Sequence, residues 1–465
     1  MPSTDATAKV AAHCAETSFA SLPADVREKL KRHLLDYLGV TLGAREHAES
    51  TPSLLAGLGG GGEGGEATVV GTGERQAPDR AAAVNGALAH SLDFDDTHRE
   101  SSLHPGAPVI PAALAVAERE GATTERLLAG VSAGFDVACV LGRAVNPDAH
   151  YDRGFHGTAT CGTFGAIAAA GVVAGLSADE FESAFGVGGS QAAGSLQFLS
   201  NGAWNKRLHP GLAARRGVTA VSLAAAGFRG ADEAIEGEYG FLNGYTGDPN
   251  PEAFDRLGDE HTVMETALKP YPCCRYMHAA IDALTEIGEE VRPSEVNSVV
   301  VDLPEPGVRL TGDPIERKRR PSNFVDCQFS MPFASALALS TGEAGLAAFL
   351  DAQTRLDDPA LRGLMDATDV VSTETVQSLF PDQWAARVVV ETDGGTRERF
   401  VETALGEPEK PLGWDGVTEK FESLAGSAGV GEDARRELVT VVREFEDRSV
   451  ADLTDAVRRV AAAAP

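Results

Sequence analysis

The chain is poor in lysine, in aromatic residues and in cysteine pairs. Eight lysines stand beside 32 arginines, and 40 basic residues face 69 acidic ones, for a net charge of −29 over 465 residues. Such a balance leaves no basic stripe for phosphate backbones, which excludes nucleic acid as a partner, and it is repelled by anionic membranes. An acidic, lysine-poor surface is the habit of proteins kept soluble in concentrated salt, so a halophilic setting is expected. Aromatic residues make up 6% of the chain against 43% hydrophobic residues overall. Alanine and glycine are abundant, which favours closely packed helices over an aromatic-rich β-sandwich. The six cysteines show no Cys-x-x-Cys spacing, the pattern of a reducing compartment without a disulfide framework or zinc knuckle. No run approaches the roughly 20 uninterrupted apolar residues of a membrane span. "MPSTDATAKVAAHCAE" lacks the basic and apolar regions of a signal peptide, so the expected location is cytoplasmic.

Helical spacing dominates the first part of the chain. Residues 4–45 read as two helices, with Val26, Leu30, Leu34, Tyr37 and Leu38 on one face. "AGLGGGGEGGEATVVGTGER" reads as a loop and a short strand, since no lysine or helix follows to make a phosphate cradle. From 79 to about 228, Ala/Gly-rich helices follow one another, and Ser177 with Glu180 predicts a capping box. Around 267 the texture changes. "SEVNSVVVDLP" reads as a strand and "ARVVVETDGGTRERFVE" as a hairpin, with helices near 327–350 between them; helices return from about 412. The expected organisation is mainly α: an all-helical domain over 1–266 plus 404–465, with an inserted α+β domain over 267–403.

Titratable groups are unevenly placed. Eight of eleven histidines lie between His90 and His278, and no Asp or Glu occurs between Glu182 and Asp232, where Lys206, Arg207, Arg215, Arg216 and Arg229 fall. A buried helix pair explains part of that gap. A cationic island in so acidic a protein also suits an anionic ligand. Lys206 and Lys269 sit in stretches free of acid, where a compact ammonium suits a carboxylate. "HSLDFDDTHRESSLHPG", residues 90–106, carries three histidines and three aspartates. On a helix Asp93 and Thr97 would share a face, leaving Asp95 and Asp96 pointing elsewhere, and the zinc spacing His-Glu-x-x-His is absent. Acid/base chemistry is the expectation here. His104 precedes Pro-Gly, which extends the backbone and admits a ligand, and His156 stands before a small-residue helix whose amides can receive a carboxylate. Asp95, Asp96 and His98 are expected to cap a helix end and to be solvated.

"AHSLDFDDTH…HPGAPVIPAALAVAE", "GFHGTATCGTFGAIAAA", "KRLHPGLAARRGVTAVSLAAAGF", "LKPYPCCRYMHAAIDA" and "DCQFSMPFASALAL" together resemble the MmgE/PrpD family. That family includes 2-methylcitrate dehydratase, cis-aconitate decarboxylase and iminodisuccinate epimerase. The resemblance implies a large all-helical domain with a smaller α+β lid, a homodimer, and a metal-independent activity without a cofactor on a small di- or tricarboxylate. It places catalytic roles on Asp93, Thr97, His104 and His156, and substrate binding on Lys206 and Lys269. Many members carry Phe-Ser-x-x-Tyr where this chain has "FSMPF", leaving Phe333 without a hydroxyl. The first expectation is a hydro-lyase that dehydrates 2-methylcitrate, a step of propionate metabolism. Decarboxylation of a cis-aconitate-like acid and epimerisation beside a carboxylate are the alternatives. A non-enzymatic helical binding protein is a further one, against which the clustering of titratable groups speaks.

Overall fold

The computed structural model describes residues 5–59 and 65–462. The chain forms two compact units, Met1–Ala267 with Gly413–Pro465 and Leu268–Leu412. The return to the first unit falls at Gly413 and not at residue 404. The intervening segment is tied into the second unit, where Leu268 donates to the Gly406 carbonyl and Arg275 pairs with Glu407.

The fold is mainly α. In the first unit the Gly157–Ala174 helix packs on Thr124–Ala144, Gly106–Glu120 and Asn205–Ala225, and Pro78–Ala89 packs on the last two. Glycine lets the backbones approach. A Cβ on Gly134 would stand 2.9 Å from the Gly165 carbonyl oxygen, and one on Gly165 would stand 2.8 Å from that of Gly134. This close approach is why so much of the domain is alanine and glycine. Thr124–Ala144 and Gly157–Ala174, with 21 and 18 residues, are long and apolar enough to cross a membrane by length and composition. Both are instead buried almost throughout among the other helices. The expected capping box closes the Ala178–Gly189 helix through Ser177 and Glu180. Ala67–Thr68 (β1) pairs with Arg75–Gln76 (β2), and Thr97–His98 (β3) pairs antiparallel with Thr266–Ala267 (β4). The glycine-rich loop expected near 56–66 lies partly outside the described residues.

The second unit holds a four-stranded sheet. Val296–Asp302 (β5) runs parallel to Thr368–Val371 (β6) and antiparallel to Ala386–Thr392 (β7), which forms a hairpin with Gly395–Val401 (β8). Ala386, Val388 and Val390 alternate inward, and the His278–Gly288 and Met331–Thr341 helices pack together beside them. β6 was not anticipated, because four residues are too few to show a period.

Candidate active site

The Pro78–Ala89 helix stops short of the histidine–aspartate stretch, with His90 at its C-cap. Residues 91–96 form a turn in which Asp93 has φ +51°, a region Asp enters more readily than most residues. The helical spacing expected of Asp93 and Thr97 is therefore absent, and Thr97 lies on β3. The turn is pinned from several sides. Lys206 Nζ donates to Asp93 Oδ1 at 3.0 Å, Lys420 Nζ donates to the Phe94 carbonyl at 2.7 Å, and the Asp96 carboxylate accepts from Gly106 N at 3.0 and 3.1 Å. Asp96 thus caps the Gly106–Glu120 helix, which places His104 immediately before it; His104 N donates to Thr158 Oγ1 at 3.1 Å.

These constraints gather four histidines. His90 Nδ1 lies 2.7 Å and His104 Nδ1 lies 3.4 Å from Asp95 Oδ2, while His104 Nε2 reaches to 4.0 Å from Asp93 Oδ1. The His90 and His104 rings meet edge to face at 4.6 Å, and His156 lies 6.1 Å from His90. His156 Nδ1 in turn shares a proton with His209 Nδ1 at 3.0 Å, one nitrogen donating and the other accepting. His156 is the N-cap of the Gly157–Ala174 helix, and His209 and Lys206 come from the first turns of Asn205–Ala225. Burial raises the Asp95 carboxyl, but the charges and hydrogen bonds of His90 and His104 prevail and hold it well below its ordinary range. Burial first, then its histidine neighbours and Lys206, push His156 far below the ordinary imidazole value. Burial, then His90 and Arg216, lower His209 to about 4.

The acids of this stretch are not solvated. Asp95, Asp96 and His98 are 3%, 4% and 2% exposed. Asp95 organises the histidine pair. Burial, then repulsion from Asp95, keeps Asp96 far above the usual carboxylate range, and His98 joins Ser101 and Glu265 beside Arg143. Thr97 is buried, and its hydroxyl makes no hydrogen bond among the described residues. The cationic island also disperses in space. Arg207 reaches Ser50, Arg215 pairs with Asp79 and Arg216 donates to the Ala193 carbonyl, so of these four Lys206 is the one on Asp93. The acid gap is a property of the sequence, filled by acids from elsewhere.

Two family models match the chain, the MmgE/PrpD N-terminal domain over residues 8–253 and the MmgE/PrpD C-terminal domain over 271–444. The chain belongs to the MmgE/PrpD family. It is 27% identical over 469 residues to the cis-aconitate decarboxylase of Aspergillus terreus, covering 95% of this chain and 92% of that one. It is 28% identical to the cis-aconitate decarboxylase-like protein oryM of Aspergillus oryzae, covering 92% of each. To the human cis-aconitate decarboxylase it is 26% identical over 80% of this chain and 78% of that one.

Of the residues expected from the MmgE/PrpD motifs, Asp93, His104 and Lys206 meet directly, and His156 joins them through His90. Lys269 is buried in the second unit. Phe333 is fully buried there, its ring edge-on to Phe349 at 5.4 Å. Three site residues escaped the motif reading: His90, Asp95 and His209. His209 follows Lys206 by three residues, a same-face spacing on a helix that was available as a signal. Asp95 had no such signal, because its role depends on the turn.

His90, Asp93, Asp95 and His104 each offer one ligand atom, all within 4.8 Å of one another. Two imidazoles and two carboxylates suit a divalent cation such as zinc. Asp93 Oδ1 already serves the Lys206 ammonium, and Asp95 Oδ2 already faces the two imidazoles, so a metal would have to displace the Lys206 ammonium from Asp93.

Proposed function

We propose that the chain is a metal-independent lyase acting on a tricarboxylate, with decarboxylation of cis-aconitate or a close analogue as its reaction. The observation that carries this reading is the meeting of one ammonium, Lys206, with a carboxylate-fixed histidine pair on a single turn. In the reaction the bond from carbon to one carboxylate breaks and carbon dioxide leaves. The electron pair remains on an allylic carbon and takes up one proton, giving an unsaturated five-carbon dicarboxylic acid. His104 delivers that proton, Asp95 faces its ring, and Lys206 holds a remaining carboxylate; Lys269 keeps the substrate-binding role that the family resemblance gives it. Asp93 aims Lys206, while His156 and Thr97 border the reacting carbon.

Dehydration of 2-methylcitrate, the first expectation from sequence, ranks second. Expelling hydroxide calls for an acid at the leaving group, and Phe333 has no hydroxyl to offer. Carbon dioxide leaves without one, and the decarboxylase names of the relatives support that order. Offering cis-aconitate, citrate and 2-methylcitrate separately, in high salt, tests the reading. Carbon dioxide released from cis-aconitate supports it; alkene formed from 2-methylcitrate alone replaces it with dehydration; solvent-proton exchange without net loss of substrate replaces it with epimerisation.

The same reading includes a salt-rich cytoplasm, supported by the net charge of −29, and a homodimer, for which the family resemblance alone speaks. Light scattering across salt concentrations tests the dimer.

A further inference from the structure

Behind the catalytic turn, Lys29, His33, Asp36, Asp96 and Lys420 are buried, and the chemistry just described uses none of them. Lys420 has the most specific placement. It comes from the Trp414–Ser427 helix, in the C-terminal segment that returns to the first unit and packs on the Ala24–His47 helix. Its Nζ lies 2.7 Å from Asp36 Oδ1, donates to the Phe94 carbonyl at 2.7 Å and sits 4.0 Å above the centre of the Phe94 ring. Burying an ammonium is costly unless it is paired, and this chain uses arginine at most basic positions. A compact ammonium fits between one carboxylate and one carbonyl, where a planar guanidinium would not.

Phe94 separates Asp93, at φ +51°, from Asp95, which holds His90 and His104. Fixing its carbonyl fixes the peptide plane between Phe94 and Asp95, and with it the direction of both aspartates. We propose that Lys420 is a positioning residue, a clamp on the Phe94 carbonyl that aims Asp93 and Asp95. The clamp's bearing on turnover rests on the reading of this site as the proton-transfer centre.

Replacing Lys420 alone strands the Asp36 carboxylate, so the informative protein is Asp36→Leu/Lys420→Met, in which both charges leave together. Its thermal midpoint is expected near that of the parent. Its kcat on cis-aconitate falls about 100-fold with KM within about twofold, the signature of a misaimed group and not of lost binding. Amides 93–98 exchange with deuterium at least about tenfold faster, a local loosening. Lys420→Arg, which keeps the charge and alters its geometry, is the second variant, with the same signs expected. Exchange is read without substrate. Absence of parental turnover of cis-aconitate therefore counts against the substrate reading, while exchange still decides the clamp. Parental exchange rates in both variants overturn the clamp, and faster exchange with parental kcat overturns its part in the reaction.

Discussion

His90 Nδ1 and Asp95 Oδ2 lie 2.7 Å apart, both buried, and the same oxygen stands 3.4 Å from His104 Nδ1. One carboxylate therefore sets the orientation of two imidazoles. With Asp95 engaged at the Nδ1 side, Nε2 of His104 points toward Asp93, at 4.0 Å. In the proposed reaction Nε2 is the nitrogen left to transfer the proton, because the Asp95 carboxylate faces the other side of the ring.

Asp95→Asn keeps the shape of the side chain and removes its charge. A neutral amide still offers an oxygen to the two rings but no charge, so His104 is held less firmly in its orientation. Turnover is expected to fall by about 10²- to 10⁴-fold, the usual worth of a positioned acid or base, with KM little changed. Steady-state kinetics on cis-aconitate give both values.

Lys206→Met removes the ammonium that bridges Asp93 and the proposed substrate. A hydrogen bond to a charged group contributes about 1.5–3 kcal/mol, so KM is expected to rise by about 10- to 100-fold. Lys206→Arg is expected not to restore it, because the guanidinium fork needs more room beside Asp93. A titration of initial rate against substrate for both variants checks this.

His209 provides a pH dependence of stability. Its folded value of about 4 lies below the ordinary 6.5, so between these values the unfolded chain binds more protons than the folded one, and stability falls as pH falls. The span corresponds to up to about 3 kcal/mol. His209→Gln is expected to lose less stability than the parent between pH 6.5 and 4.5. Denaturant midpoints of the two proteins at both pH values measure the difference, in which the titration of buried groups away from the His156–His209 pair cancels.

Much of this was legible in the sequence, for physical reasons. The alanine and glycine content pointed to close helix packing, and Gly134 against Gly165 is that packing. The hairpin at Asp393 and Gly394 followed from its turn residues. The motif residues Asp93, His104 and Lys206 lie within reach of one another around the turn. Asp95 was misread because a helix was extended through it. The chain leaves the helix at His90, and a left-handed residue at 93 redirects the next three side chains inward. Charge pattern misled in a similar way, since Asp79 reaches Arg215 across more than a hundred residues of sequence.

Gly165→Ala tests the packing from the other side. Its Cβ would stand 2.7 Å from the Ala138 Cβ and 2.8 Å from the Gly134 carbonyl oxygen, with backbone on one side and little freedom to yield. A loss of about 1–3 kcal/mol is expected from such overpacking. Chemical denaturation of the variant against the parent reads it directly.

The central claim is that His104 gives a proton to carbon without help from a metal. Proton NMR of the reaction in deuterated, chelator-containing high-salt buffer, run with parent and His104→Ala, tests it most directly. The expected result is cis-aconitate consumed by the parent, one deuteron on carbon in each molecule of a five-carbon product, and a rate lower by at least about 100-fold in His104→Ala. Parental activity abolished by the chelator, or an unchanged rate and deuteron count in His104→Ala, would contradict it.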